Sequence, residues 1–559
     1  MASGNWRRFF LTPTGEAAKE WRLPLLLRGR RKRRMALLVG LGLAQSVLSV
    51  VIALSVREAF DELVGAHAGN SAGLRTAGIA LGALALGAVL RWREFLESER
   101  LAQSYVHAVR VQVFRHAIRL GEAGMAQTSR SAVLLRFTGD LSPLRLWLSR
   151  GLSRGVVAMT SIVVTLAALL VVAPFIGLTI AASMALTAVA ALALGPALDR
   201  STRKVRRHRT RMLKHAQERL LQLSLIETAG DATHERRMLA GKSDRLARAS
   251  VARAGIIGVL QAIGEAGAAA ASVGALLIGA LLAGMAMATP GAVVAAMLLA
   301  GLLSPKMQDL TRAFEYWTNA RISIEKQARF LALRPVGRRK GSTSTSRRMR
   351  EATGYLNLSN VAYDDQVQDV TLSLSPGDRI WLGDATPVEG LAILRLAAGV
   401  LQPKSGRVKL DGVSLRRIHR RDVRRHVALV SADFDLFEAS LRANLVYGVS
   451  EQRAEGLDAF VATHDLGEII AALPGGLEHV VRIGDRRVTS GNRLVFGLIR
   501  ARLSGARVIL VDQSDLILAD AERAAIDRLL ADHDGAVLWA SRTAPQGFSR
   551  AAEAAPAEI

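Results

Sequence analysis

The chain has 559 residues, a formal charge of +26 at pH 7, 50% hydrophobic and 22% charged residues, and a mean hydropathy of +0.23. A length beyond one ordinary domain with both fractions high predicts a membrane part and a soluble part segregated along the sequence. The lack of cysteine excludes disulfides, thiolate zinc sites and thiol catalysis. A nucleic-acid role is set aside, because aromatics are only 5% and the basic runs flank apolar stretches instead of filling a domain of their own.

Residues 1–34 read as a cytoplasmic N-terminal elbow, and no cleavable signal peptide is expected, since the first apolar run is long and lacks a small-residue cleavage pattern. Residues 35–56 carry no charge, and at a helical rise of ~1.5 Å per residue they cross a hydrocarbon core of ~30 Å. A second span is expected at 75–93, with Arg91 snorkelling or its helix end wet. From Gly155 to Leu198 nothing is charged, and the break at Ala173-Pro174-Phe175-Ile176-Gly177 predicts two spans, 155–173 and 177–198, joined by a tight outer turn. The same design recurs at 256–284 and 290–305, broken at Ala288-Thr289-Pro290-Gly291.

Six spans with both termini cytoplasmic follow from the placement of basic residues. RGRRKRR at 28–34 precedes the first span and RKVRRHRTR at 203–211 follows the fourth, while the loop with Arg57, Glu58, Asp61 and Glu62 has no basic excess. Between spans two and three, and between four and five, charged helical sequence is expected to project into the cytoplasm, with its positive charge serving topology and contact with anionic lipid. Residues 334–353, rich in Arg, Ser and Thr, read as a flexible linker. Beyond it, the runs YLNLSNVAY, RIWLG, RVKLDG, HVALVS and RVILVD alternate with helical segments such as 391–399 and 521–532, which predicts an α/β layer fold over 354–559.

The order of these segments resembles the half-transporters of the ABC exporter family. The membrane half shares loose patterns: Asp140-Leu141 before a helix, the basic extension of span four, and QDLTRAFEYWTNARISIEKQARFL leading to the linker. The soluble half is similar to the family's nucleotide-binding domain through LAAGVLQPKSGRVKLDGVSL, ALVSADFDLFEASLRANLVYG and LPGGLEHVVRIGDRR. The resemblance implies an α-helical domain of six transmembrane helices with long cytoplasmic extensions, followed by an α/β P-loop-NTPase-like domain. It also implies coupling elements near 118–130 and 214–235 that dock on soluble domains.

A phosphate loop needs backbone N–H groups, glycines, a lysine and a magnesium-binding hydroxyl. The aligned stretch is Gly383-Asp384-Ala385-Thr386-Pro387-Val388-Glu389-Gly390-Leu391-Ala392, so the lysine position holds Glu389 or Gly390 and the hydroxyl position Gly390 or Leu391. Pro387 removes one N–H, and Asp384 and Glu389 place negative charge beside a triphosphate. The apolar strand 508–511 ends on Asp512 as the family's metal-binding strand does, but the next residue is Gln513, an amide that cannot accept water's proton as a glutamate would. Ala432 stands at the Q-loop glutamine, Arg542 at the switch histidine, and Asp365 at the base-stacking aromatic, with Tyr363 nearby.

The signature segment departs less, since Thr489, Ser490, Gly491 and Asn492 open a helix whose N-terminus suits a γ-phosphate. The family pairs each ATP between one subunit's phosphate loop and the other's signature helix. The resemblance therefore implies no metal site, no catalytic residues and no nucleotide on this chain's own loop, with Mg-ATP held by an ATPase-competent partner in a heterodimer. A bacterial inner-membrane location follows from the same reading. The other readings are a regulatory or scaffold subunit that docks through its inactive domain, and a homodimer moving cargo passively or with protons. Glu265, near the cytoplasmic end of span five, is the one ionisable candidate for the latter. His107, His116, His208, His215 and His234 read as solvated helix faces, and the glycines and alanines of spans five and six as close helix packing.

Overall fold

The computed structural model describes residues 23–551 except 27, 65–69, 126–132, 135, 138, 140, 286–288, 334–352, 384, 434–435, 483 and 514–515. The expected linker, apart from Thr353, and most of the N-terminal elbow therefore lie outside the described residues. The chain forms two compact units, Met1–Arg119 with Thr128–Arg334 and Leu120–Gln127 with Pro335–Ile559.

The first unit is helical: α1 (Arg30–Val64), α2 (Asn70–Met125), α3 (Arg154–Val172), α4 (Pro174–Ala193), α5 (Gly195–Leu221), α6 (Leu223–Ala229), α7 (Ala232–Gly284) and α8 (Pro290–Leu331). Among the described residues five helical stretches are long and apolar enough to cross a membrane: Arg30–Glu62, Leu141–Val171, Pro174–Leu221, Ala232–Leu282 and Pro290–Leu331. The helix carrying the second expected span, α2, is not among them. Its uncharged run between Arg75 and Arg91 falls short of the ~20 residues that a span needs.

The breaks between helices follow from local chemistry. Ala173 leaves the helical region at φ −148°, and Pro174 then opens α4 at a position whose N–H has no intrahelical acceptor anyway. At the start of α8, Thr289 accepts from the Ala292 N–H, and Pro290 follows as the first helical residue. Asp61 at the far end of α1 reinforces this cap, accepting from Thr289 Oγ1 at 2.9 Å and from the Gly291 N–H at 2.8 Å. Gly291 is required there, because a Cβ would strike Asp61 and the Arg57 carbonyl.

Alanines make close packing possible in the bundle: Ala271 and Ala275 of α7 and Ala295, Ala296 and Ala300 of α8 share one core with Leu169, Ile176 and Ile180. Glu265 is exposed on α7. Two histidines depart from a solvated-face reading. His116 is buried with its ring edge-on to Phe330 at 5.3 Å, and His215 is buried 3.4 Å from Glu235, whereas His107 and His234 are exposed. Helical periodicity read from charge alone misses such inward-facing positions in long cytoplasmic helices.

The second unit holds two sheets. An antiparallel sheet orders as β2 (Val367–Leu374), β1 (Leu356–Tyr363), β4 (Ser405–Leu410) and β5 (Val413–Ser414). A parallel sheet orders as β6 (Val427–Ser431), β7 (Val508–Asp512), β8 (Ala536–Ala540), β3 (Arg379–Trp381) and β9 (Ser549–Arg550). Strands β7 and β8 are buried along their whole length, and apolar apart from Asp512 at the end of β7, because both faces are covered. Ile509, Val511, Val537 and Trp539 face one core with α10 (Ser490–Ser504) and α11 (Asp520–Ala531). Val508, Leu510, Ala536 and Leu538 face the other with α9 (Pro387–Ala397) and the antiparallel sheet.

Candidate functional site

The carboxyl edge of an open parallel sheet is where such folds bind ligands. Strands β3, β6, β7 and β8 run parallel, so Gly383, Ala432, Gln513 and Arg542, which follow their ends, come to that one edge. Asp384 lies outside the described residues.

The loop after β3 leads into a capped helix start. Thr386 adopts φ −61° and ψ 157°, and its Oγ1 accepts from the Glu389 N–H at 3.3 Å, while its carbonyl accepts from the Gly390 N–H at 2.8 Å. Pro387 has no N–H to offer, and Glu389 adds an acid to the first turn, where it compensates the positive helix end from within. Under the loop, the Trp381 indole lies against Gly383, within 2.7 Å of where a Cβ would stand. Its Nε1–H donates to the Ser541 carbonyl at 3.0 Å, tying the loop after β3 to the segment that carries Arg542.

Asp512 is buried at the end of β7 and accepts from the Ser431 hydroxyl at 2.9 Å. Gln513 is fixed at both ends of its amide. Its Oε1 accepts from the buried Trp539 indole at 3.0 Å, and its Nε2 donates to the Leu516 carbonyl at 3.2 Å. A carboxylate could not make the second bond, so the amide fits this position structurally. Ala432 presents only a methyl group in the turn after β6, and Arg542 is exposed. Tyr363 ends β1 half-buried, whereas Asp365 is exposed in the following turn.

The start of α10 is a separate corner. Thr489 caps it, accepting from the Asn492 N–H at 2.9 Å, and its hydroxyl donates to Glu522 Oε1 at 2.7 Å. Thr489 and Ser490 are exposed, whereas Gly491 and Asn492 are buried. The loop before it is braced by His479, whose Nε2 lies 2.8 Å from Asp485 Oδ2. His479, aided by the Arg487 N–H, holds the Asp485 carboxyl below the usual carboxylate range.

Four residues of this architecture escaped the sequence reading: Thr386, Trp381, Trp539 and Glu522. Two signals were available: Thr386 followed by Pro387 and by Glu389 three residues on marks a capped helix start, and an acid at Glu522 three residues after Ala519 is half of a capping box. The two tryptophans had no such signal.

Residues 35–307 match the family model described as the ABC transporter transmembrane region. Together with the five apolar helices, this makes the protein an integral membrane protein with a helical transmembrane domain followed by an α/β region. Similar curated proteins include the ATP-dependent lipid A-core flippase of Burkholderia thailandensis, 27% identical over 33% of this chain and 32% of that protein. The protein of the same name in Thiobacillus denitrificans is 30% identical over 29% of each chain. The mycobactin import ATP-binding/permease protein IrtB of Mycolicibacterium thermoresistibile is 33% identical over 31% of this chain and 30% of its own. The matched stretch spans about a third of the length of these relatives.

Proposed function

We propose that this chain is a half-transporter of the ABC exporter type whose own nucleotide site is inactive, and that it moves an amphiphilic, lipid-class cargo together with an ATPase-competent partner subunit. The membrane match and the flippase names of its relatives support the transport part. The single observation that carries the inactive part is the start of α9. Thr386 and Pro387 leave few N–H groups for phosphate, and Glu389 brings charge of the wrong sign.

In this reading the partner holds Mg-ATP on its own phosphate loop and supplies the glutamate and histidine. This chain contributes the start of α10, through Ser490 and Gly491, from the facing side. Both termini lie in the cytoplasm, and the membrane is the bacterial inner membrane. A second reading, a scaffold subunit whose soluble face touches no nucleotide, is favoured by one observation: Glu522 already engages the Thr489 hydroxyl.

The test is purification of the tagged full chain from its native membranes in mild detergent, followed by an ATPase assay. A co-purifying subunit with an intact phosphate loop is expected. Hydrolysis should vanish when that subunit's glutamate becomes glutamine and should persist with Gln513→Ala here. Transport that persists after deletion of this chain would leave the scaffold reading; hydrolysis by this chain alone would contradict both.

A further inference from the structure

Glu522 is an acid the proposed function leaves unused, although it is only 8% exposed. Such a carboxylate is costly to bury unless each oxygen is bonded, and both are. Oε2 accepts from the Ala519 N–H at 3.0 Å, which completes the start of α11 where Ala519 has no capping side chain of its own. Oε1 accepts from Thr489 Oγ1 at 2.7 Å. The third contact is steric: a Cβ on Gly491 would overlap the carboxylate, so the glycine lets the acid lie against the first turn of α10.

The Thr489 hydroxyl is thereby held from two sides, donating to Glu522 Oε1 and accepting from the Asn492 N–H. The N–H groups of Ser490 and Gly491, in the first turn of α10, have no acceptor within their own helix. The corner thus holds two N–H groups without an intrahelical acceptor, Ser490 exposed and Gly491 buried, with a carboxylate packed against them. We infer that Glu522 is a positioning residue that clamps Thr489 and Gly491 and weakens the hold of this face on the partner's Mg-ATP by setting a carboxylate beside the γ-phosphate. This rests on the reading in which a partner's ATP meets the start of α10.

The test uses the complex purified through a tag on the full-length chain, with Mg-ATP as the probe and steady-state ATPase as the readout. Glu522→Gln keeps the shape and an acceptor for the Ala519 N–H but removes the charge; Glu522→Ser is a second variant that removes the charge with a side chain small enough to fit. Both should lower KM for ATP roughly 3- to 10-fold with kcat little changed, because like-charge repulsion acts on the bound nucleotide. A cap with a merely structural role would move kcat or the melting temperature and leave KM in place. A wild-type complex without ATPase overturns the partner reading and the inference with it. An active complex whose KM ignores both substitutions, or rises, overturns the inference alone.

Discussion

Gln513 is built into its surroundings. The Trp539 indole donates to its carbonyl oxygen and the Leu516 carbonyl accepts from its nitrogen, so both halves of the amide are used. Gln513→Glu would remove the donor and set a carboxylate against a carbonyl, at a cost of about 1–3 kcal/mol. We expect a lower denaturation midpoint for the full-length variant with no gain of hydrolysis; unchanged stability together with new ATPase activity would show that the amide is incidental. That an amide follows Asp512 and the apolar strand before it was legible in the sequence. The partners of that amide were not, because β8 lies far along the chain and nothing in Ala536–Ala540 announces which strand Trp539 will neighbour. The same limit hid Trp381, whose partner Ser541 is distant in sequence and becomes adjacent only when β3 pairs with β8.

Elements were easier to read than their junctions. Long uncharged runs predict helices because a bilayer leaves backbone groups no other partner, and α1, α3, α4, α7 and α8 cover those runs. The proline-containing breaks marked where helices would restart, since Pro174 and Pro290 can open a helix but not continue one. What a periodic pattern cannot supply is the contact between ends, and Asp61 is the instance with consequences. Its carboxylate holds the start of α8 through Thr289 and Gly291, with Arg57 at 3.7 Å. Asp61→Asn keeps the size and removes the charge, and charge-assisted bonds are roughly twice as strong as neutral ones. Because the chain has no cysteine, a single cysteine at buried Ser55 reports on this junction without background. Labelling of Ser55→Cys by a water-soluble maleimide should rise several-fold in the Asp61→Asn background; equal labelling in both would show that the cap does not hold the two helices together.

At the scale of the molecule, the two units obey different rules. The helical unit is read through hydropathy and basic flanks, and residues 35–307 match the ABC transporter transmembrane region. In the α/β unit parallel strands deliver four loops to one edge, and the side chains there cap, brace and fill. An α/β fold whose sheet edge carries capping and bracing side chains is what the proposed subunit, which leaves hydrolysis to a partner, would have. Titrating a fluorescent Mg-ATP analogue into the full-length chain purified without any partner addresses this most directly. No saturable binding below about 1 mM is expected. Saturable micromolar binding that disappears on substitutions within residues 383–392 would contradict it.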